Sequence, residues 1–246
     1  MGMSFLVVIP ARYQSSRLPG KPLVSLLGVP MIVRTFRQCA KVVPPGNIVV
    51  ATDDARIRAC CEAEGIQVMM TSSACLTGTD RVAEVARSYP ANVYINVQGD
   101  EPVFNPEDLL ALIATAERFP NDVINGYCKI DSEEMFRSSS TPKVVARPDG
   151  RLLYMSRAPI PTNKAHGLMD AWRQVCAYAF PRAALEAFSA VNVKTPLEAI
   201  EDIEILRFLE LGWDVRMIPM SDLSVAVDNP EDVVRAEQAI RALGLE

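Results

Sequence analysis

At 246 residues, 49% of them hydrophobic, the chain can bury a substantial core as one large α/β domain or two small ones. A formal net charge of -5 excludes the broad basic field on which nonspecific nucleic-acid or membrane-surface binding relies, so any anionic ligand must be held locally. No apolar run is long enough to span a bilayer, and the opening "MGMSFLVVIPARYQ" lacks a charged leader and a small-residue cleavage site, which makes the cytoplasm the expected location.

Short apolar runs then alternate with helical patterns. "FLVVIP" is followed by "PMIVRTFRQCAKV", "NIVVAT" by "DARIRACCEAEG", "QVMMT" by "DRVAEVARSY", and "NVYINVQ" by "PEDLLALIATAERF". The strands are continuously apolar instead of alternating, which predicts a mostly parallel sheet covered by helices on both faces. From about Ser138 the rhythm changes: "KVVARPDGRLLYMSRAPIP" reads as a hairpin around Asp149-Gly150 and "VCAYAF" as a further short strand. Residues 138–196 are therefore expected to form an inserted lobe in a single domain spanning 1–246. One helix is predicted over "PLEAIEDIEILRFLELG", a strand over "DVRMIPM", and a last helix from Pro230.

Six cysteines are scattered without CxxC spacing and are expected to serve as small core residues. The single histidine, His166, lies in the polar stretch "TNKAHG" and reads as a solvated loop residue, so neither a histidine-rich zinc site nor a Ser-His-Asp triad is supported.

Ligands of parallel sheets sit at the carboxyl ends of the strands. There "VVIPAR" empties into "ARYQSSRLPGKPL", with Arg12, Arg17 and Lys21, and "YINVQGDEP" empties into Gln98, Gly99, Asp100 and Glu101. Gly20 and its flanking prolines shape a loop whose guanidinium forks and lysine could wrap a polyphosphate, and a solvated basic turn is the alternative that composition leaves open. The loop has neither Walker nor GxGxxG spacing. Asp100 and Asp228, the latter in "VAVDNPED", are a candidate pair of hard oxygen ligands for Mg²⁺, although each alone could be a turn or cap residue. Glu198, Glu201 and Glu204 recur every three residues and would share part of a helix face, either as hydroxyl ligands for a sugar or as an ordinary charged surface. In "TGTDRVAEV" a helix N-terminus and Arg81 could clamp a carboxylate, or Asp80 could simply cap the helix.

Taken together, "IPARYQSSRLPGKPL", "VVATDDARI", "MMTSSACLTGTDRVAEV", "VNVQGDEP", "LLYMSRAPIP", "PLEAIEDIEILR" and "VAVDNPEDV" resemble the 3-deoxy-D-manno-octulosonate (Kdo) cytidylyltransferases nearly end to end. The resemblance implies a Rossmann-like, glycosyltransferase-A-like nucleotidyltransferase fold and a cytoplasmic, Mg²⁺-dependent homodimer. It implies that CTP and a sugar acid are the substrates and that CMP-Kdo and pyrophosphate are the products. By carry-over, Arg12, Arg17 and Lys21 would hold the triphosphate and Asp100 and Asp228 the metal. Pro10, Ala11, Thr71 and Ser72 would read cytosine. Arg81, Gln98, Arg157, Tyr178, Glu198 and Glu201 would hold the sugar acid.

The chain departs from the family where "QVCAYAF" places Gln174 at a position the family usually gives to a sugar-contacting histidine. A related acid, such as the 8-amino form of Kdo, is therefore a second possible substrate. A nucleotidyltransferase for another nucleotide or a sugar phosphate, and a noncatalytic nucleotide-binding module, are the competing readings.

Overall fold

The computed structural model describes residues 3–246. The first half of the chain runs β1 (Phe5–Ala11), the hairpin strands β2 (Ser25–Leu26) and β3 (Val29–Pro30), α1 (Met31–Ala40), β4 (Ile48–Thr52) and α2 (Ala55–Ala63). It continues through β5 (Val68–Met70), α3 (Gly78–Ser88), β6 (Val93–Val97), α4 (Pro106–Arg118) and β7 (Val123–Lys129). The second half runs α5 (Glu133–Arg137), β8 (Lys143–Ala146), β9 (Leu152–Ser156), β10 (Trp172–Pro181) and α6 (Arg182–Ala190). It closes with α7 (Pro196–Glu201), α8 (Ile205–Glu210), β11 (Val215–Pro219) and α9 (Pro230–Ala242).

Strands β4 and β6 are buried along their whole length, as their unbroken apolar sequences predict. Successive side chains of each strand point to opposite faces. Val7 and Ile9 of β1 join a core with Ile32 of α1, Ile57 of α2 and Leu109 of α4, whereas Leu6 and Val8 join one with Val82 of α3, Leu185 of α6 and Phe208 of α8. The result is the expected three-layer α/β architecture. The sheet order is β11-β7-β10-β6-β1-β4-β5. Neighbours pair in parallel except β10, which runs antiparallel to both β6 and β7.

That strand divides the stretch expected as a lobe. The β8–β9 hairpin, turned at Gly150 (φ 86°), joins the same sheet off its main path, because β8 pairs with the start of β10, and Val144, Leu152 and Met155 enter the core on the α3 side. β10 lies in the middle of the sheet, and α6 packs in the helix layer beside α3. A lone strand cannot reveal its direction by its apolarity, because a central antiparallel strand is buried on both faces just like a parallel one. β10 also carries an irregularity: Val175 pairs with Gly126 and Tyr178 with the adjacent Asn125, so two extra residues bulge out between them.

The single helix expected over residues 196–212 is two short ones. Asp202 adopts a left-handed conformation (φ 52°, ψ 49°) that ends α7, and α8 begins three residues later. The break removes Glu198, Glu201 and Glu204 from a common helix face. Glu198 turns inward, 1% exposed, and takes both arms of Arg207, itself 0% exposed, at 2.6 and 2.7 Å. The guanidinium also lies 3.7 Å from the centre of the Phe188 ring and 3.6 Å from Asp80. Glu198 is thus a structural clamp between α7 and α8 and not a sugar ligand. Glu198→Ala should lower unfolding free energy by about 3 kcal/mol or more, because it strands a buried charge. A urea titration checks this, and a loss within about 0.5 kcal/mol, the ordinary range of surface substitutions, would show the pair to be dispensable.

Candidate active site

β1 and β6 run side by side and in parallel, so both empty at the same sheet edge. Gly99 makes their ends converge: a Cβ there would lie 2.9 Å from the Pro10 carbonyl oxygen, and the Gly99 N–H donates to that oxygen at 3.3 Å. The loop after β1 folds back through Gly20 (φ 68°), whose N–H bonds to the Tyr13 carbonyl at 3.1 Å, and so returns Lys21 to the strand end. These segments open onto a cleft of ≈ 310 Å³. Pro10, Ala11, Arg12, Lys21, Gln98, Asp100 and Asp228 line it together.

The Lys21 ammonium bonds to the Asp100 carboxylate and, at 2.9 Å, to that of Asp228. Burial alone would lower the Lys21 pKa, but the two aspartates outweigh it and raise it above its ordinary value. Arg17 reaches Asp228 at 3.0 Å. Asp228 is brought in from the far end of the chain by a 3.0 Å bond from the Val227 N–H to the Asp100 carbonyl. Asp232, in the capping box of α9, fixes the same turn by accepting from the N–H groups of Asp228 and Asn229 at 2.9 and 2.8 Å. Glu101, next in the motif, points the other way. It is buried against the Ser224 hydroxyl, and burial, then the charge of Asp100, push its carboxyl up to about 8.

Among the described residues, no cluster of three or more His, Cys, Asp or Glu side chains could enclose a metal. Two carboxylates converging on one cation nevertheless fit Mg²⁺, which is commonly held by one or two carboxylates plus phosphate oxygens and water. Lys21 shows that this point of the cleft accommodates positive charge.

The opposite wall begins at the N-terminus of α3. Thr77 and Asp80 form a reciprocal capping box there, and Gly78 allows the Gln98 amide to approach. Arg81 lines this wall with its guanidinium anchored on Asp53 at 3.0 Å and on the Thr71 hydroxyl. Glu204 lines it as well, accepting from the Thr79 N–H at 3.1 Å, and its carboxyl is raised by burial. Lys194 and Asp202, an ion pair flanking α7, complete the rim. No spacing in the sequence marks Lys194. Asp202 could have been found only by anticipating the helix break.

Several expected residues lie elsewhere. Thr71 is buried against Arg81, and the Ser72 N–H is taken by Glu84 at 3.0 Å, so Cys75 and Leu76 supply the lining that was expected from Thr71 and Ser72. Arg157 spends its guanidinium on the carbonyls of Ser139, Glu201 and Asp202, and Glu201 accepts from the Ser156 hydroxyl at 2.6 Å and the Arg157 N–H at 2.8 Å. Both brace the β9–α7 junction instead of facing the cleft. Gln174 and Tyr178 are buried behind the cleft wall, joined by a 3.3 Å bond from the Gln174 amide to the Tyr178 hydroxyl. His166 is exposed as expected. Cys39, Cys61 and Cys128 are core residues, whereas Cys75 lines the cleft and Cys176 is exposed.

The cytidylyltransferase family profile matches residues 6–217. The 3-deoxy-manno-octulosonate cytidylyltransferase of Syntrophotalea carbinolica is 38% identical over 98% of this chain and 100% of its own length. That of Acaryochloris marina is 39% identical over 97% and 98%. The solved structure of a CMP:2-keto-3-deoxy-manno-octonic acid synthetase complexed with CTP superposes with a TM-score of 0.91 at 33% identity, covering 98% of this chain and 99% of that one. With β1 and β6 emptying into one cationic cleft and these relatives matched from end to end, the chain belongs to the cytidylyltransferase family, among the 3-deoxy-manno-octulosonate cytidylyltransferases.

Proposed function

We propose that the protein activates Kdo: the anomeric hydroxyl attacks the α-phosphorus of CTP, the bond to the bridging oxygen of the β-phosphate breaks, and CMP-Kdo and pyrophosphate leave. The observation that carries this reading is the meeting of Arg12, Arg17 and Lys21 with Asp100 and Asp228 at one strand-end cleft, in a chain that matches Kdo cytidylyltransferases over nearly its whole length. The product would serve as an activated donor for lipopolysaccharide or another cell-envelope saccharide.

In this reading Arg12, which forms no ion pair among the described residues, forks onto phosphate oxygens, while Arg17 and Lys21 add charge at the same end. The backbone of Pro10 and Ala11 bounds the nucleotide on the β1 side. Asp100 and Asp228 would hold Mg²⁺, which when bound neutralises and orients the triphosphate. Gln98 and Arg81 face the sugar-acid end. Because Gln174 stands where an imidazole is usual, the 8-amino analogue of Kdo is kept as a second substrate.

We also read the protein as a cytoplasmic homodimer. Six free cysteines suit a reducing compartment. Among the described residues β9 pairs only with β8, and it carries Leu153, 56% exposed, near α7 with Ile200, 79% exposed, an apolar edge that a second copy would cover.

Pyrophosphate release with CTP and Mg²⁺ should require a 3-deoxy-ulosonic acid, with Kdo turned over and sialic acid not. Binding of CTP without pyrophosphate release under any such acid would favour a noncatalytic module. Asp100→Asn should reduce Mg²⁺-dependent turnover at least about a hundredfold with the circular dichroism spectrum unchanged, and near-normal turnover would end the metal assignment. Sedimentation should give a dimer at micromolar concentration, and a monomer throughout would remove that part of the reading.

A further inference from the structure

The basic loop after β1 is closed by contacts that lie outside the cleft. Arg12 and Lys21, which line the cleft, are next in the chain to Tyr13 and Gly20, and the Gly20 N–H bonds to the Tyr13 carbonyl at 3.1 Å. The Tyr13 ring covers the same junction: a Cβ on Gly20 would lie 3.1 Å from its Cε2, Cζ and hydroxyl oxygen. One side chain therefore bridges the two ends of the loop.

That ring is held in turn by α2. The Arg56 guanidinium carbon lies 3.3 Å from the centre of the Tyr13 ring, a cation–π contact. The guanidinium is fixed in place, because its Nε and Nη2 both donate to the Asp54 carboxylate, at 2.9 and 2.7 Å. Asp54 is the N-cap of α2 and also accepts from the Arg56 N–H at 2.9 Å. The bonds from Arg56 hold its carboxyl down to about 2, so the pair stays ionised at neutral pH. Tyr13 is half-buried against the core that α1 and α2 share with β1, which confines its ring. Asp54, Arg56, Tyr13 and Gly20 thus form one continuous chain of contacts from the start of α2 to the residue before Lys21.

We propose that Tyr13 and Arg56 are positioning residues that keep the basic loop folded back, so that Arg12, Arg17 and Lys21 meet the triphosphate of CTP as a preformed set. The inference rests on the reading of the cleft as a CTP site. Arg56 does not line the cleft, and its fork is spent on Asp54, so it acts through the loop and not on phosphate. Without the stack the nucleotide itself must order the loop, and that ordering is lost from its affinity. Neither residue stands out in the sequence: Tyr13 lies among polar turn residues, and Arg56 in "DARIRACCEAEG" reads as solvated helix charge.

The test is calorimetric titration of CTP, and separately of CMP, into the protein with Mg²⁺ and no sugar acid, with the thermal midpoint read alongside. Arg56→Ala and Tyr13→Leu should each weaken CTP binding about threefold to fivefold, the size of an exposed cation–π contact, while CMP binding stays within about twofold. Tyr13→Phe keeps the ring and should match the wild type within about twofold. The double variant should bind CTP no more weakly than Tyr13→Leu alone, because the two residues act as one unit. Arg56 is exposed, so Arg56→Ala should leave the thermal midpoint nearly unchanged and decides the matter even where Tyr13→Leu unfolds. Unchanged or tighter CTP binding, an effect of Arg56→Ala without one of a folded Tyr13→Leu, additive losses, or equal weakening of CMP would overturn the proposal. A wild-type protein that bound no CTP would instead bring down the functional reading, and this assignment with it.

Discussion

The site depends on one ammonium group holding together parts of the chain that are distant in sequence. Lys21 lies 79 residues from Asp100 and 207 from Asp228, and its Nζ contacts both. A lysine buried to this degree would be pressed toward its neutral form without partners, and two carboxylates this close would repel each other without a cation between them. Each side of the arrangement stabilises the charged state of the other. The same geometry makes it exchangeable, since a divalent ion and a polyphosphate can take over both halves of the interaction. The surrounding structure serves this convergence: Gly99 lets the ends of β1 and β6 meet, Gly20 turns the basic loop back, and the Val227–Asp100 backbone bond draws in the C-terminal segment.

A second constraint comes from β10. Parallel strands present their carboxyl ends to a ligand, which supplies loops but few side chains from within the sheet. A central strand of opposite direction lays its first half beside the carboxyl ends of β6 and β7, and so sets Gln174 and Tyr178 into the sheet next to the cleft. The cost is a set of buried polar groups that must be satisfied. The bulge and Asn125 meet that demand together, because the carbonyls turned out of the ladder become the acceptors that orient the asparagine. Asn96 of β6, whose Nδ2 is buried without a partner among the described residues, marks where that demand goes unmet.

Much of this was legible in the sequence because it depends on local pattern. The unbroken apolar strands gave away a sheet covered on both faces, and strand ends emptying into "ARYQSSRLPGK" and "QGDEP" located the cleft. What the sequence concealed depends on contacts between segments. A three-residue spacing of glutamates is compatible with one helix face, and only the left-handed Asp202, with no glycine to announce it, separates Glu198 from Glu204. Glu198 is drawn inward by Arg207, nine residues away across that break. Arg157, Thr71 and Ser72 sit in suggestive motifs, but their polar groups are claimed by the carbonyls around α7, by Arg81 and by Glu84. Asn125 carries no signal at all, because one polar residue in an apolar strand gains its meaning from the bulge opposite.

The distribution of charge reconciles an acidic protein with a polyanionic ligand. Beyond about 8 to 10 Å, salt screens the net charge of -5, so a ligand in the cleft responds to the groups lining it. At the β1–β6 end three cations face two carboxylates, leaving a single excess positive charge, too little for a triphosphate and therefore suited to one that arrives with a divalent ion. At the other end both cations are already matched: Arg81 is held by Asp53, and Lys194 by Asp202. The Gln98 amide and the Glu204 carboxyl, which burial raises and which accepts from the Thr79 N–H, offer hydrogen bonds to hydroxyl groups there. On the Kdo-activating reading, that asymmetry turns the phosphates toward Lys21 and leaves the sugar to the hydrogen-bonding groups of the far wall.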